Sequence, residues 1–60
     1  MRDLMTSKEA AVYLRLSEDT LRRWRCRGLG PKYIRINGRI LYRIRELERF
    51  LDQNECGAAA

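Results

Sequence analysis

The sequence predicts a mainly α-helical domain with one small β-hairpin, and two observations support this. Apolar residues recur at intervals of three and four along three stretches, as they do on the buried face of a helix. Between the last two stretches, two extended runs flank Asn37-Gly38, a dipeptide that favours tight hairpin turns. Because the chain has only 60 residues, these elements must share one small core. We expect one domain over residues 1–54 and a disordered tail over residues 55–60.

The first helix is expected over Ser7–Leu16. Thr6 and Glu9 have the spacing of a capping box, in which each side chain satisfies the backbone N–H of the other residue. Ala11 lies on the expected buried face and is small enough to let another helix approach closely. The preceding residues are expected to be a lead-in, with Leu4 packed beneath this helix.

The second helix is expected to begin after Ser17, a good N-cap, and to end at Gly28, a good left-handed C-cap. Leu21 and Trp24 share its buried stripe, and we expect Trp24 to anchor the core. The link over residues 15–17 is short, so the first two helices fit either a helix-turn-helix or an ordinary αα-hairpin. The arginines on the exposed side of the second helix favour the DNA-binding alternative.

The hairpin consists of two runs, Lys32–Ile36 and Arg39–Arg43. Asn37-Gly38 alone suggests a two-residue type I′ turn, which would pair Ile36 with Arg39 and mix polar and apolar residues on both faces. A three-residue loop with a glycine bulge would instead give one apolar face. We therefore favour the longer loop, with an apolar face made by Ile34, Ile36, Ile40 and Tyr42.

The third helix is expected over Ile44–Asn54. Its apolar stripe comprises Ile44, Leu47, Phe50 and Leu51. Leu29, between the second helix and the hairpin, is expected to enter the core.

Charge is unevenly distributed along the chain. The net charge is +5, but residues 17–45 hold nine basic and two acidic residues, whereas residues 46–60 hold one basic and four acidic residues. Eight of the nine basic residues are arginines, whose planar guanidinium suits phosphate and guanine. The pattern favours a nucleic-acid partner over a merely solvated basic surface.

Several function classes are disfavoured. The chain has no histidine, and its cysteines, Cys26 and Cys56, are far apart, so we expect no enzyme, no metal site and no cofactor. No apolar run is long enough to span a membrane, so we expect no membrane partner. Without a signal-peptide pattern, reduced thiols and a cytoplasmic location are expected.

Two segments, MTSKEAAVYLRLSEDTLRRW and GRILYRIRELERFL, resemble the excisionase-type helix-turn-helix domain, which is related to the DNA-binding domain of MerR regulators. The resemblance covers about Leu4–Leu51. Arg15 departs from the pattern, because a glycine often follows the position of Leu14, and Phe50 stands where tryptophan is common. The matching positions are Thr6, Glu9, Ala10, Ala11, Leu14, Ser17, Thr20, Leu21, Trp24, Gly38, Arg39, Tyr42, Leu47 and Phe50.

The resemblance implies a winged helix-turn-helix with three helices and one two-stranded wing. It implies that Ser17–Arg27 reads the major groove of double-stranded DNA and that the wing tip reaches a minor groove. The implied function is that of a recombination directionality factor, which acts on the nucleoid in the cytoplasm of a bacterial host. Such a factor binds and bends attachment-site DNA, cooperatively with neighbouring copies, and helps a site-specific integrase excise a phage or mobile element.

A small prophage or plasmid transcription regulator is the alternative function. It would use the same DNA-binding surface. The sequence has no long dimerising helix of the MerR type, so we do not expect effector sensing.

Candidate DNA contacts fall into three groups. In the recognition helix they are Ser17, Glu18, Asp19, Thr20, Arg22, Arg23 and Cys26. At the wing tip they are Asn37, Gly38 and Arg39. Phosphate contacts, or simply solvated charges, are Arg25, Arg27, Lys32, Arg35 and Arg43. Arg22 and Arg23 are expected to contact either the bases, where an arginine reads guanine, or phosphate. Glu18 and Asp19 would either accept a hydrogen bond from cytosine N4 or stabilise the first turn of the second helix.

Overall fold

A computed structural model describes residues 3–57 and confirms the predicted winged helix-turn-helix fold. The described part contains three helices and a three-stranded antiparallel sheet, whereas the sequence predicted a two-stranded wing. Residues 55–57 lie in neither a helix nor a strand, and residues 58–60 of the predicted tail lie outside the described residues. In chain order the elements are β1 (Leu4–Thr6), α1 (Ser7–Leu14), α2 (Glu18–Arg27), β2 (Ile34–Ile36), β3 (Arg39–Arg43) and α3 (Ile44–Gln53).

The helix α1 begins with the predicted capping box. Thr6 Oγ1 accepts from the backbone N–H of Glu9 at 3.1 Å, and Glu9 Oε1 accepts from that of Thr6 at 2.9 Å. The helix ends two residues earlier than predicted because Arg15 adopts a left-handed conformation with φ of 60°. The next backbone N–H, that of Leu16, then donates to the carbonyl of Ala11 at 2.8 Å, which closes the helix end.

The helix α2 has both predicted caps. Ser17 Oγ accepts from the backbone N–H of Thr20 at 3.1 Å, and Gly28 closes the helix with φ of 73°. Leu21 is buried. Trp24 is half-buried and packs against the core, as expected, with its ring centroid 5.5 Å from that of Phe50.

The strand β1 was not predicted. It pairs with β3, placing Leu4 opposite Arg43 and Thr6 opposite Leu41. Leu4 is consequently about two-fifths exposed, at the edge of the sheet, instead of lying beneath α1. A three-residue strand is too short to show an alternating pattern, and it is specified by its partner β3.

The preferred three-residue hairpin loop is wrong. Ile36 pairs with Arg39, so the turn contains only Asn37 and Gly38, with positive φ values of 54° and 79°. Positive φ at both central positions is typical of the type I′ turn that Asn-Gly favours. The faces of the hairpin are mixed as a result, and Ile36 is 54% exposed. The local conformation of the turn outweighs the benefit of one apolar face.

The core lies where α1, α2, β3 and α3 meet. Leu29 is not part of it, since this side chain is 53% exposed, and Pro31 in the same connection is buried instead. In α3, Leu47 is buried as predicted, whereas Leu51 is 45% exposed. The core cluster itself consists of Ala10, Ala11, Leu21, Tyr42 and Leu47.

Candidate nucleic-acid interface

A groove of about 320 Å³ lies between α2 and the hairpin. It exists because β2 and β3 pair in the two-residue register, which places Arg35 and Ile40 opposite each other on one face of the sheet. Both residues line the groove, and three arginines in all border it. The lining residues are Arg22, Arg25 and Cys26 from α2 and Tyr33, Arg35, Gly38 and Ile40 from the hairpin. The groove thus combines residues from all three predicted groups of contacts.

Arg25 has neighbours that the sequence did not reveal. Its Nη1 donates to Ser7 Oγ at 3.2 Å and to the Tyr42 hydroxyl at 3.0 Å, and its guanidinium lies 5.9 Å from the centre of the Tyr33 ring. It is half-buried rather than a simply solvated charge. Arg25 therefore connects α2 to the beginning of α1 and to β3, in addition to the phosphate contact predicted for it. In the sequence, these contacts are indicated only by the position of Arg25 next to Trp24, at the edge of the buried stripe of α2.

Asp19 interacts with both arginines predicted to contact bases or phosphate. Its Oδ1 accepts from Arg22 Nη2, and its Oδ2 accepts from Arg23 Nη2 at 3.0 Å. The hydrogen bonds from Arg22 and Arg23, followed by the charges of the same two residues, lower the pKa of Asp19 below the 3.8 that is usual for an aspartate. The spacing of three and four residues in the sequence is the signal that indicates these two contacts.

Ser17 and Thr20 are engaged with each other at the beginning of α2. Their hydroxyl oxygens lie 2.9 Å apart, and Ser17 also caps the helix. Glu18, beside them, is exposed. The DNA contacts predicted for Ser17 and Thr20 would require this hydroxyl pair to rearrange or to be shared with the DNA.

A family model described as a helix-turn-helix domain matches residues 4–55. The chain belongs to this helix-turn-helix family. The family occurs in excisionase-like proteins, and the match identifies the protein as a DNA-binding helix-turn-helix protein. No curated protein matches the sequence.

The wing of this helix-turn-helix domain carries an exposed tip. Asn37, Gly38 and Arg39 are all exposed there. Within residues 3–57, no carboxylate lies close enough to Arg39 to form an ion pair, so its charge is available to an outside partner. Arg39 shares its face of the sheet with Ile36, on the side opposite Arg35.

The remaining predicted phosphate contacts of the helix-turn-helix domain are dispersed. Arg27 and Lys32 are exposed beyond the end of the groove, in α2 and in the connection to the hairpin. Arg43 does not line the groove, and its Nη1 lies 3.8 Å from Asp3 Oδ2 across the β1–β3 pair. In the described part of the chain, no helix has the length and apolar character needed to cross a membrane.

Proposed function

We propose that this protein is an accessory factor of site-specific recombination. It binds and bends attachment-site DNA and promotes the excision of a phage or mobile element by a partner integrase. It has no catalytic activity of its own and acts in the cytoplasm of a bacterial host, on the nucleoid. The observation that carries the proposal is the groove between α2 and the wing, bordered by Arg22, Arg25 and Arg35.

The groove suits one strand of the DNA backbone. With ten residues, α2 is about 15 Å long and narrow enough to enter a major groove about 12 Å wide. The wing lies on the other side of the protein groove from α2, so it would then lie over the adjacent minor groove of the DNA. The negative potential of that minor groove attracts the exposed Arg39. The backbone strand between the two DNA grooves would pass Arg25 and Arg35, because guanidinium groups favour phosphate, and Arg22 would remain for the base edges.

The two DNA contacts also favour bending. A protein that contacts a major and an adjacent minor groove gains contact area when the duplex curves towards it. Bending a site of 20–30 base pairs costs on the order of several kcal/mol, so the contacts of a 60-residue domain alone offset little of this cost. Several copies on neighbouring sites would share it.

Neighbouring copies have complementary charges. The helix α3 and the residues after it carry four carboxylates against two arginines, Arg45 and Arg49, whereas α2 and the hairpin carry most of the arginines. We infer that the acidic end of one copy faces the basic middle of the next along the DNA. The carboxylates are Glu46, Glu48, Asp52 and Glu55. Titration of a multi-site duplex tests this inference: binding as independent single sites, at any salt concentration, would refute it.

An excision assay tests the function. The purified protein is added to a candidate partner integrase and to supercoiled DNA carrying the two attachment sites of that integrase. We expect excision to depend on this protein, and circularly permuted fragments to show a bend at the attachment site. Binding confined to promoter DNA, with no bend and no stimulation of excision, would refute the proposal and support the alternative of a transcription regulator.

A further inference from the structure

The carboxylate of Asp19 accepts hydrogen bonds from both Arg22 and Arg23 on the exposed side of α2. We propose that Asp19 is a positioning residue that orders the guanidinium groups of Arg22 and Arg23 for sequence recognition. This inference rests on the proposed reading of the major groove by α2. It assigns to Asp19 a specificity-determining role that is exerted through the two arginines and needs no contact between the carboxylate and the DNA.

The geometry of α2 brings the three side chains together. Arg22 and Arg23 follow Asp19 by three and four residues, the two spacings that place helical side chains side by side. Each guanidinium takes a different oxygen of the carboxylate, so one Asp19 rotamer holds both arginines. The lowered pKa of Asp19 has the same cause. A carboxyl with a lowered pKa is ionised at neutral pH.

The two arginines would otherwise have few restraints. Their side chains are 68% and 69% exposed, and long exposed side chains populate many rotamers. A side chain that is ordered before binding loses less entropy when it binds, which favours recognition of one fixed pattern of acceptors. Each guanidinium has five N–H donors and gives one of them to Asp19, so four remain for the acceptors of guanine.

The charge of Asp19 contributes to the same outcome. Alone, Arg22 and Arg23 would be a doubly positive group with strong attraction for phosphate of any sequence. The carboxylate between them reduces this general attraction. It leaves intact the directional hydrogen bonds to base edges, which distinguish sequences. Asp19 therefore lowers binding to mixed-sequence DNA while it supports binding to the preferred site.

Direct readout by Asp19 is the competing explanation. An aspartate can accept a hydrogen bond from cytosine N4 in the major groove. In the free protein both oxygens of Asp19 already accept from guanidinium groups, so a cytosine would have to compete with two cationic donors. The two explanations differ in whether the effect of Asp19 requires the arginines.

The test is Asp19→Asn, which keeps the shape of the side chain and removes its charge. The preferred duplex is first obtained by selection from a random library with the wild-type protein. The measured quantity is the specificity ratio, the Kd for a mixed-sequence duplex divided by the Kd for the selected duplex. We expect the ratio to fall at least about fivefold, the lower end of what one bidentate arginine–guanine pair contributes. An unchanged ratio would overturn the proposal.

Two further variants separate position from charge. Glu18→Gln removes one negative charge from the same turn of α2, and Glu18 makes no contact with an arginine within residues 3–57. Because Glu18 is itself a candidate base contact, this variant is compared on the mixed-sequence duplex only, where it gives the change in general affinity that the loss of one negative charge produces. If Asp19 acts through the arginines, Asp19→Asn leaves the ratio unchanged in the Arg22→Ala/Arg23→Ala background. A similar fall in that background would show direct readout and refute the proposal.

A measurement on the free protein keeps the inference separate from the proposed function. In ¹⁵N NMR spectra, Asp19→Asn should accelerate guanidinium rotation in Arg22 and Arg23 but not in exposed Arg27. Unchanged rotation refutes the positioning role. If the wild-type protein binds all duplexes equally, α2 does not read sequence. Asp19 then has no role in sequence recognition, even if it slows the rotation of the two guanidinium groups.

Discussion

Replacing Arg25 by alanine should destabilise the fold more than any other loss of a charged side chain from α2. The substitution removes the hydrogen bonds to Ser7 and Tyr42 and the approach to the Tyr33 ring. The hydroxyl of Tyr42, whose residue is only 1% exposed, loses its cationic partner. Among residues 3–57, no other side-chain hydrogen bond or ion pair joins α2 to the sheet.

The magnitude follows from these three contacts. A hydrogen bond contributes about 1 kcal/mol net, and a partly exposed cation–π contact about 0.5 kcal/mol. Because the site is only half-buried, we expect a total loss of about 2 kcal/mol in the free energy of unfolding. In a domain of this size that loss lowers Tm by about 8–16 °C.

Thermal melting followed by circular dichroism measures this loss. Arg25→Lys keeps the charge but replaces the planar guanidinium with an ammonium of different shape and reach, so it should recover about half of the stability. Arg27→Ala is the matched control, because Arg27 lies on the same helix and is exposed, and it should cost no more than about 0.5 kcal/mol. A double-mutant cycle of Arg25→Ala with Tyr42→Phe should give a coupling energy of about 1 kcal/mol. Equal melting of Arg25→Ala and Arg27→Ala, or no coupling, would refute the reasoning.

Three further predictions concern the wing, the connection before it and α2. Arg39→Glu should weaken binding to all duplexes, whereas Arg23→Ala should also relax the sequence preference. Fluorescence anisotropy with selected and mixed-sequence duplexes distinguishes the two effects. If Arg23→Ala weakened binding to both duplexes equally, base reading by Arg23 would be contradicted. Gly30→Ala should destabilise the fold by more than about 1 kcal/mol, because φ is +85° and the added Cβ would lie 2.7 Å from the Trp24 ring; an unchanged Tm would contradict this. In an NMR titration, the Asp19 carboxyl should have its midpoint below 3.8. Because the pKa of Asp19 is lower in the folded protein, the ionised carboxylate stabilises the fold fully above pH 3.8. This stabilisation disappears as the pH falls through the folded pKa. A titration midpoint at or above 3.8 would refute the contact with the two arginines.

Elements with a strong local signal could be predicted from the sequence. The caps of α1 and α2 depend on residues three or four positions apart, so Thr6, Glu9, Ser17 and Gly28 identify them without knowledge of the fold. The two-residue turn was also indicated by Asn37-Gly38 itself. The expectation of a single apolar face is what favours the longer loop. The fold does not need such a face, because β3 is the central strand and Tyr42 provides its main buried side chain.

Features that depend on distant contacts could not be predicted. The strand β1 has only three residues and is defined by its pairing with β3. The bonds of Arg25 join residues 17 and 18 positions apart, which no local pattern encodes. Leu29 follows the C-cap of α2, and only the path of the chain to Pro31 determines that this side chain stays exposed. The contacts of Asp19, in contrast, were present in the helical spacing.

The central claim is that α2 reads base edges in the major groove while the wing tip lies in the adjacent minor groove. Selection from a random duplex library, followed by replacement of each selected guanine with 7-deazaguanine, tests it most directly. The replacement removes N7, an acceptor in the major groove only. We predict one short preferred sequence in which 7-deazaguanine weakens the wild-type protein but not Arg22→Ala/Arg23→Ala. No enriched sequence, or equal sensitivity of both proteins, would contradict the claim.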